Sequence, residues 1–394
     1  RIAQVMPILR PKTPVEPGEI VVNTVLCNDW KVKRLLGKGG FGKVYHVIHT
    51  TTGKEAAFKI EDKSKIQLRA EVDILSRLKG KKFVIDLIQS GKKTRYNYII
   101  MSLLGPSVQD LIYYEENKEP HQIPCSASTT LRFGIQALHG IKQLHDVGLI
   151  HRDIKPANFA FGHRAGGTDP QVVHLFDFGL SRDFITKEGD KTILRKPRRE
   201  VTFKGTNLYA SISALDGNEQ SRADDLLSLM YAMVEMRSGE LPWKSLEHKN
   251  DDELAIKRKE KKKELLKAPA ELFPAKSFPS IILKIWTYLW YLCANRLQSI
   301  SINITYSSLD YWSRPDYLFV YRVLLAAMDD VGAKFSDPWD WEKPGFNPKM
   351  PRNWEEAQMP KDNTDNSSNK GKAVMGRKVN PFTEDDFSFD PWGF

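Results

Sequence analysis

Cysteine is scarce in this chain: only Cys27, Cys125 and Cys293 occur among 394 residues. Their wide separation excludes a disulfide framework and offers no zinc-ligand spacing. Residues 281–294 are strongly apolar, with Lys284 as their only charge, but the run is too short to span a bilayer. No signal peptide is legible and no internal repeat is found, so the sequons at Asn303 and Asn366 are expected to stay unmodified. A reducing cytoplasmic compartment, or the nucleus, is the expected location. What is present is ordinary for a globular protein, 27% charged and 41% hydrophobic residues, enough for two lobes plus extensions. The net charge of +10 and pI near 9.2 favour acidic partners without choosing among nucleic acid, anionic membrane and acidic protein.

Residues 1–28 carry Pro7, Pro11, Pro14 and Pro17 without an apolar period, which reads as an extended arm with one short strand around residues 20–26. From Trp30 the pattern becomes short β-branched and aromatic runs at residues 30–36, 44–49 and 55–60, separated by glycine turns. Leu68, Val72, Leu75 and Leu78 recur at helical spacing and place Glu71 on a helix, followed by strand-like runs at 83–90 and 96–102. Beyond Gly105 the period is mostly helical, with Leu131, Ile135, Leu138 and Ile141 along one face and a second helix over residues 221–237. These patterns predict an α+β, bilobal fold. Residues 29–104 form a small antiparallel-sheet lobe with one helix, residues 105–344 a larger, mainly helical lobe, and the polar residues 345–394 a disordered tail.

Four motifs carry chemistry, in a fixed order. Gly37-Lys38-Gly39-Gly40-Phe41-Gly42-Lys43-Val44 lies between two strand-like runs rather than opening a helix, which separates it from a dinucleotide-binding turn. Taken alone it could be an ordinary glycine hairpin. Lys59 follows in a strand and Glu71 on the next helix, each of which in isolation would read as a surface charge. His151-Arg152-Asp153-Ile154-Lys155-Pro156-Ala157-Asn158 and then Asp177-Phe178-Gly179 supply a proton-accepting carboxylate and two metal ligands. Phosphoryl transfer needs this set, because its catalysis is mostly positioning and charge neutralisation.

Together these motifs resemble a protein kinase domain, and the chain is similar to the casein kinase 1 group, most of all to its tau-tubulin kinases and their invertebrate relatives. The group features are Tyr209-Ala210-Ser211-Ile212 where most kinases carry Ala-Pro-Glu, the run from Ser221 through Asp224 and Asp225 to Leu229, and Leu241-Pro242-Trp243. Phe159-Ala160, Arg314-Pro315-Asp316-Tyr317 and the closing Asp337-Pro338-Trp339-Asp340-Trp341 add the tau-tubulin likeness, which covers about residues 29–343. The resemblance implies a serine/threonine protein kinase using ATP and Mg²⁺. Asp153 would take the substrate proton, Lys155 neutralise the transferring group, Lys59 and Glu71 form the phosphate-positioning pair, and Asn158 and Asp177 hold the metal. Gly37 to Gly42 would cover the phosphates, Met101 act as gatekeeper, and the backbone of Ser102 and Leu104 meet the adenine edge, between walls of Val44, Ala57 and Ala160. Asp225 would brace the catalytic loop from below. A catalytically silent interaction scaffold is the alternative, and it would normally lack one of the Lys, Asp or Asn positions.

The chain departs from the family pattern in places. Leu208 stands where relatives usually carry an anion-binding arginine, which weighs against phosphate-primed substrates, although Arg195, Lys196, Arg198, Arg199 and Lys204 lie nearby. Residues 290–307 read as an insertion, too long for an ordinary loop, and best explained as an unspliced gene segment rather than a surface excursion or partner element. The basic run Lys257 to Lys263 suggests a positive substrate face and hence Ser or Thr in acidic contexts, although most such runs are solvated helix surfaces. No nucleic-acid fold accompanies it, and a monomer is expected. In the tail, Asn380-Pro381-Phe382 and Asp390-Pro391-Trp392 resemble endocytic-adaptor motifs, and Glu384, Asp385 and Asp386 precede Ser388 as a candidate autophosphorylation site. Such a tail would fold back onto the basic face, and its deletion would raise activity.

Overall fold

The computed structural model describes residues 20–39, 42–65, 67–116, 119–198, 200–246, 252–273, 278–294, 313–346 and 380–393. Six antiparallel strands build the N-lobe: β1 (Val25–Leu26), β2 (Trp30–Gly39), β3 (Gly42–His49), β4 (Glu55–Asp62), β5 (Leu87–Lys92) and β6 (Tyr96–Ser102), in the spatial order β1-β2-β3-β4-β6-β5. The period of two in these strands splits their side chains between two faces. Val32, Tyr45, Val47, Phe58 and Ile100 close one cluster, while Ala57, Ile99 and Met101 join the main core on the other side. Helix α1 (Gln67–Arg77) covers that second face with Leu68, Glu71, Ile74 and Leu75 buried at helical spacing. Glu71 therefore sits on the apolar stripe, beneath the sheet.

The C-lobe contains β7 (Leu104–Ser107), α2 (Val108–Ile112), the hairpin β8 (Tyr113–Glu116) and β9 (Glu119–Gln122), and α3 (Ala127–His145). Short strands β10 (Leu149–Ile150), β11 (Phe159–Gly162), β12 (Val173–Leu175) and β13 (Arg182–Asp183) follow, then the hairpin β14 (Ile185–Glu188) and β15 (Lys191–Leu194). The remaining described helices are α4 (Ile212–Leu215), α5 (Arg222–Ser238), α6 (Asp252–Lys267), α7 (Pro269–Leu272), α8 (Ile282–Ala294), α9 (Tyr317–Asp330) and α10 (Asp385–Ser388). Ser221 and Asp224 form a capping box at the start of α5, which satisfies amides that a helix N-terminus leaves unpaired. The bilobal α+β architecture expected from the sequence is the one observed. Most of the predicted insertion at residues 290–307 lies outside the described residues, as does the N-terminal arm up to residue 19.

Residues 83–90 were expected as one strand, yet β5 begins only at Leu87. The Phe83 carbonyl accepts from Leu175 N at 2.9 Å, and Ile85 N donates to the Leu175 carbonyl at 3.1 Å. Residues 83–85 thus belong to the seam between the lobes, where the Phe83 carbonyl and the Ile85 N–H pair with Leu175 of β12. The closing segment is equally integrated: Asp340 accepts from Ser126 N at 2.6 Å, and the Arg132 guanidinium lies 4.1 Å from the Trp339 ring.

The expectation of a disordered tail fails for residues 380–393. Phe382 is 5% exposed and Phe387 fully buried; Phe382 stacks on Phe83 at 5.3 Å and Phe387 on Tyr321 at 4.2 Å, with His139 between them. Glu384 accepts from Arg322 Nε and Nη2, each at 2.7 Å, and Arg314 donates to the Phe389 carbonyl at 2.9 Å. Among the described residues the acidic tail thus engages α9 and α3, not the basic run of α6. Phe382 is consumed within the fold, so the motif Asn380-Pro381-Phe382 does not offer its ring. Local composition read as polar because Phe382, Phe387 and Phe389 are diluted among acidic and small residues. Phe387→Ala is expected to destabilise the protein by about 3 kcal/mol, measured as a lower denaturation midpoint. An unchanged midpoint would mean that the docked segment contributes nothing to stability.

Candidate active site

Strand register assembles the upper half of the site. Val44 pairs with Lys59, Ala57 with Met101 and Lys59 with Ile99, so Val44, Ala57, Lys59 and Met101 share one face of the sheet. Gly42 closes the glycine-rich turn at φ +118°, and a Cβ there would lie 1.9 Å from the Ile60 carbonyl oxygen. Only glycine fits that position. Gly37, Lys38 and Gly39 lie on β2, while Gly40 and Phe41 are outside the described residues. Lys59 Nζ meets Glu71 Oε2 at 2.6 Å, both side chains being largely buried. Burial pushes the Glu71 carboxyl above its ordinary range, against the pull of Lys59, with Asp177 adding like charge.

Ala160, on β11, is buried and pairs with Ser107, while Gly162 pairs with Leu104. These pairings place Ala160 and Leu104 on neighbouring strands of the small sheet β12-β11-β7. Ser102 N–H is donated to the Asp86 carbonyl at 2.9 Å, so this amide, part of the predicted adenine edge, is committed within the fold.

The catalytic loop hangs from one buried carboxylate. Asp225, on α5, accepts from His151 N at 2.7 Å, Arg152 N at 2.9 Å and His145 Nε2 at 2.9 Å. Burial keeps the His145 ring below its ordinary pKa and pushes the Tyr317 hydroxyl up. The neutral imidazole then donates to Asp225 through Nε2 and accepts from Tyr317 at Nδ1, 2.7 Å away. Arg152 adopts φ +69°, a turn that this clamp can impose at some cost. His151 Nε2 lies 3.2 Å from the Phe176 carbonyl, which supports the structural role expected of this histidine.

Asp153, Lys155 and Asn158 converge as the sequence predicted, and a fourth residue joins them. Thr206 Oγ1 donates to Asp153 Oδ1 at 2.7 Å and accepts from Lys155 Nζ at 2.8 Å, while Lys155 Nζ lies 2.8 Å from Asp153 Oδ2. Sequence reasoning missed Thr206. Its only local signal is the preceding Gly205, at φ +133°, where a Cβ would lie 2.4 Å from the Arg152 carbonyl oxygen. Burial pushes the Asp153 pKa up, but Lys155 and Thr206 outweigh it and leave the carboxylate below its usual range.

Asn158 Nδ2 donates to the Asp153 carbonyl at 2.7 Å, which orients the amide oxygen as the remaining acceptor. Asp177 stands at φ +64°, and its carboxylate has no hydrogen bond among the described residues. Phe178 beside it is buried against His151, ring centroids 5.5 Å apart. A strained, half-buried carboxylate and an oriented amide oxygen fit a divalent cation. Among the described residues no group of three or more His, Cys, Asp and Glu surrounds a common point.

This arrangement agrees with comparison to known proteins: the sequence pattern of the protein kinase domain family matches residues 30–295. The chain belongs to that family. A Caenorhabditis elegans protein named as a serine/threonine-protein kinase is 35% identical over 389 residues, covering 97% of this chain and all of the relative. A Dictyostelium discoideum protein so named is 30% identical over 316 residues, 79% of this chain and 56% of that protein. A C. elegans relative named as a casein kinase I is 35% identical over 245 residues, 60% of this chain and 66% of its own. The protein is a serine/threonine protein kinase, which uses ATP and a divalent metal.

The kinase departs from the sequence reading in its basic residues. Arg258 and Lys262 of the basic run are buried, Lys259 pairs with Asp216, Lys257 with Glu253 and Lys261 with Glu264. α6 is therefore largely neutralised or turned inward, and it is not the positive face expected. Leu208 is buried, with only its carbonyl used for bonding. Glu219, 3% exposed in its side chain, is chelated by Arg198 at 2.5 and 3.0 Å and approached by Arg182 at 3.4 Å. Half-buried Arg195 and exposed Lys196 and Lys204 remain on the activation segment. No helix among the described residues is long and apolar enough to cross a membrane.

Proposed function

We propose that this kinase transfers the γ-phosphoryl group of ATP, with Mg²⁺ as its metal, to Ser or Thr of proteins in acidic sequence contexts. The observation that carries the catalytic part is the Asp153–Lys155–Thr206 cluster, in which a carboxylate, an ammonium and a hydroxyl lie within 2.8 Å of one another. Asp153 would accept the proton of the incoming hydroxyl and Lys155 neutralise the transferring group. Lys59, held by Glu71, would meet the α and β phosphates under the glycine-rich turn, with Asn158 and Asp177 holding Mg²⁺. Val44, Ala57, Met101, Leu104 and Ala160 would enclose the adenine. Magnesium, when bound, supplies charge neutralisation between the phosphates.

The acidic preference is supported by half-buried Arg195 and exposed Lys196 and Lys204, which lie in the segment between Asp177-Phe178-Gly179 and Tyr209-Ala210-Ser211, the last of them two positions before Thr206. Membership of the casein kinase 1 group, on its tau-tubulin branch, is part of the same reading, supported by the casein kinase I relative and by the motif Tyr209-Ala210-Ser211. A cytoplasmic location, with the nucleus as the second site, accords with the free thiols of Cys27 and Cys125. Assay of casein and of matched peptides with acidic, neutral or basic flanks tests the proposal. The acidic peptide should be phosphorylated with the highest kcat/KM, and only with Mg²⁺ and ATP. A preference for basic flanks would exclude the acidic reading, and binding of nucleotide without transfer would favour an interaction scaffold.

A further inference from the structure

Lys262 carries an ammonium group into the protein interior, a costly placement unless its donors are satisfied. It is 1% exposed, and its Nζ donates to three main-chain carbonyls: Asn207 at 3.1 Å, Leu208 at 3.1 Å and Ala210 at 2.6 Å. The rings of Tyr231 and Trp243 stand 5.0 and 4.8 Å from the same nitrogen, a cation–π environment strengthened by desolvation. Trp243 Nε1 adds a second donor to the Leu208 carbonyl at 2.8 Å. All three carbonyls belong to the four residues that follow Thr206, whose hydroxyl touches both Asp153 and Lys155.

Other bonds hold the same stretch: Tyr209 to Glu235 at 2.5 Å, Ser211 to Asp224 at 2.6 Å, and Ser228 Oγ to the Tyr209 carbonyl at 2.8 Å. Each of these joins one donor to one acceptor, whereas Lys262 gathers three backbone carbonyls on a single nitrogen. We propose that Lys262 is a positioning residue for the substrate: by turning the carbonyls of Asn207, Leu208 and Ala210 inward, it sets the surface over which the peptide passes beyond its acceptor hydroxyl. This inference rests on the assignment of Asp153 as the residue facing that hydroxyl. It also explains why a lysine in a basic run is withheld from solvent. An ammonium directs several donors to carbonyls that curve around one point, which a neutral side chain of the same length does not.

Lys262→Met keeps length and apolar bulk but removes every donor. Its peptide kcat/KM should fall by at least about tenfold, mostly through KM, while the KM for ATP and the slow hydrolysis of ATP without peptide stay within about twofold. Lys262→Arg, which keeps a buried cation, should recover part of the loss. Trp243→Phe leaves a ring beside Lys262 and deletes one donor to Leu208, so it should raise peptide KM by roughly threefold with ATP parameters unchanged. It carries the test if the methionine variant does not fold. The proposal is overturned if peptide kcat/KM stays near wild type in both Lys262→Met and Trp243→Phe, or if ATP parameters fall in parallel with those for peptide. A wild-type enzyme that transfers phosphate to no peptide would instead remove the proposed function on which the inference rests.

Discussion

Asp153→Asn is expected to lower kcat by about 10²- to 10⁴-fold, the usual contribution of a positioned general base, or roughly 3–5 kcal/mol of barrier. The substitution nearly preserves shape, and an amide oxygen can still accept from Thr206, which lies 2.7 Å from Asp153 Oδ1. Charge is what disappears. Lys155, 2.8 Å from the other oxygen, would lose its counter-ion and face an amide that cannot take up a proton. ATP affinity should stay within about threefold, because Asp153 is not among the residues assigned to the nucleotide. The pH profile offers a second reading. Lys155 and Thr206 hold the Asp153 carboxylate below its ordinary range despite burial, so the base is ionised throughout the neutral region. The acid limb of kcat/KM should then fall below the ordinary aspartate value of about 3.9. A kcat for Asp153→Asn close to wild type would exclude this residue as the base.

Asp225→Ala should be almost as damaging to activity and more damaging to the fold. One carboxylate serves His145, His151 and Arg152, and its removal strands two buried amides and an imidazole N–H. Breaking a buried, hydrogen-bonded network of this kind costs about 3–5 kcal/mol. Asn is not a remedy, because rotating its NH₂ toward either amide sets donor against donor. Both variants should therefore melt earlier and show kcat reduced by at least about a hundredfold, since Asp153 loses the loop that aims it. Retained kcat in a destabilised Asp225→Ala would show that the loop keeps its shape through Asn158 and Thr206 alone.

Much of the site was legible because its residues come in contiguous motifs. Asp153, Lys155 and Asn158 fall within six positions, and Asp177 lies in the tripeptide Asp177-Phe178-Gly179. Glu71 was placed by helical spacing, and α1 buries it on the predicted stripe. Glycine at 42 was equally readable, since φ +118° and the near Ile60 carbonyl admit no side chain. Partners separated by long stretches of chain were not readable. Thr206 meets Asp153 across 53 positions, and Lys262 meets Ala210 across 52. Nothing in the spacing of a basic run says which ammonium will be buried.

The sequence by itself determined the two-lobed α+β fold, the order of the chemical groups and the family, because periodicity and short motifs are local properties. Tertiary structure alone decided which charges are solvated and which aromatic rings find a surface. Lys262 and Arg258 look like their solvated neighbours in sequence and are distinguished only by what packs over them. Phe382 and Phe387 look like isolated apolar residues in a polar tail, yet Phe83, His139 and Tyr321 offer them one shared surface. That surface is assembled from segments more than 200 positions apart in the chain. The free energy of burial depends on the completed surface rather than on local composition, so only the folded chain could assign these residues their places.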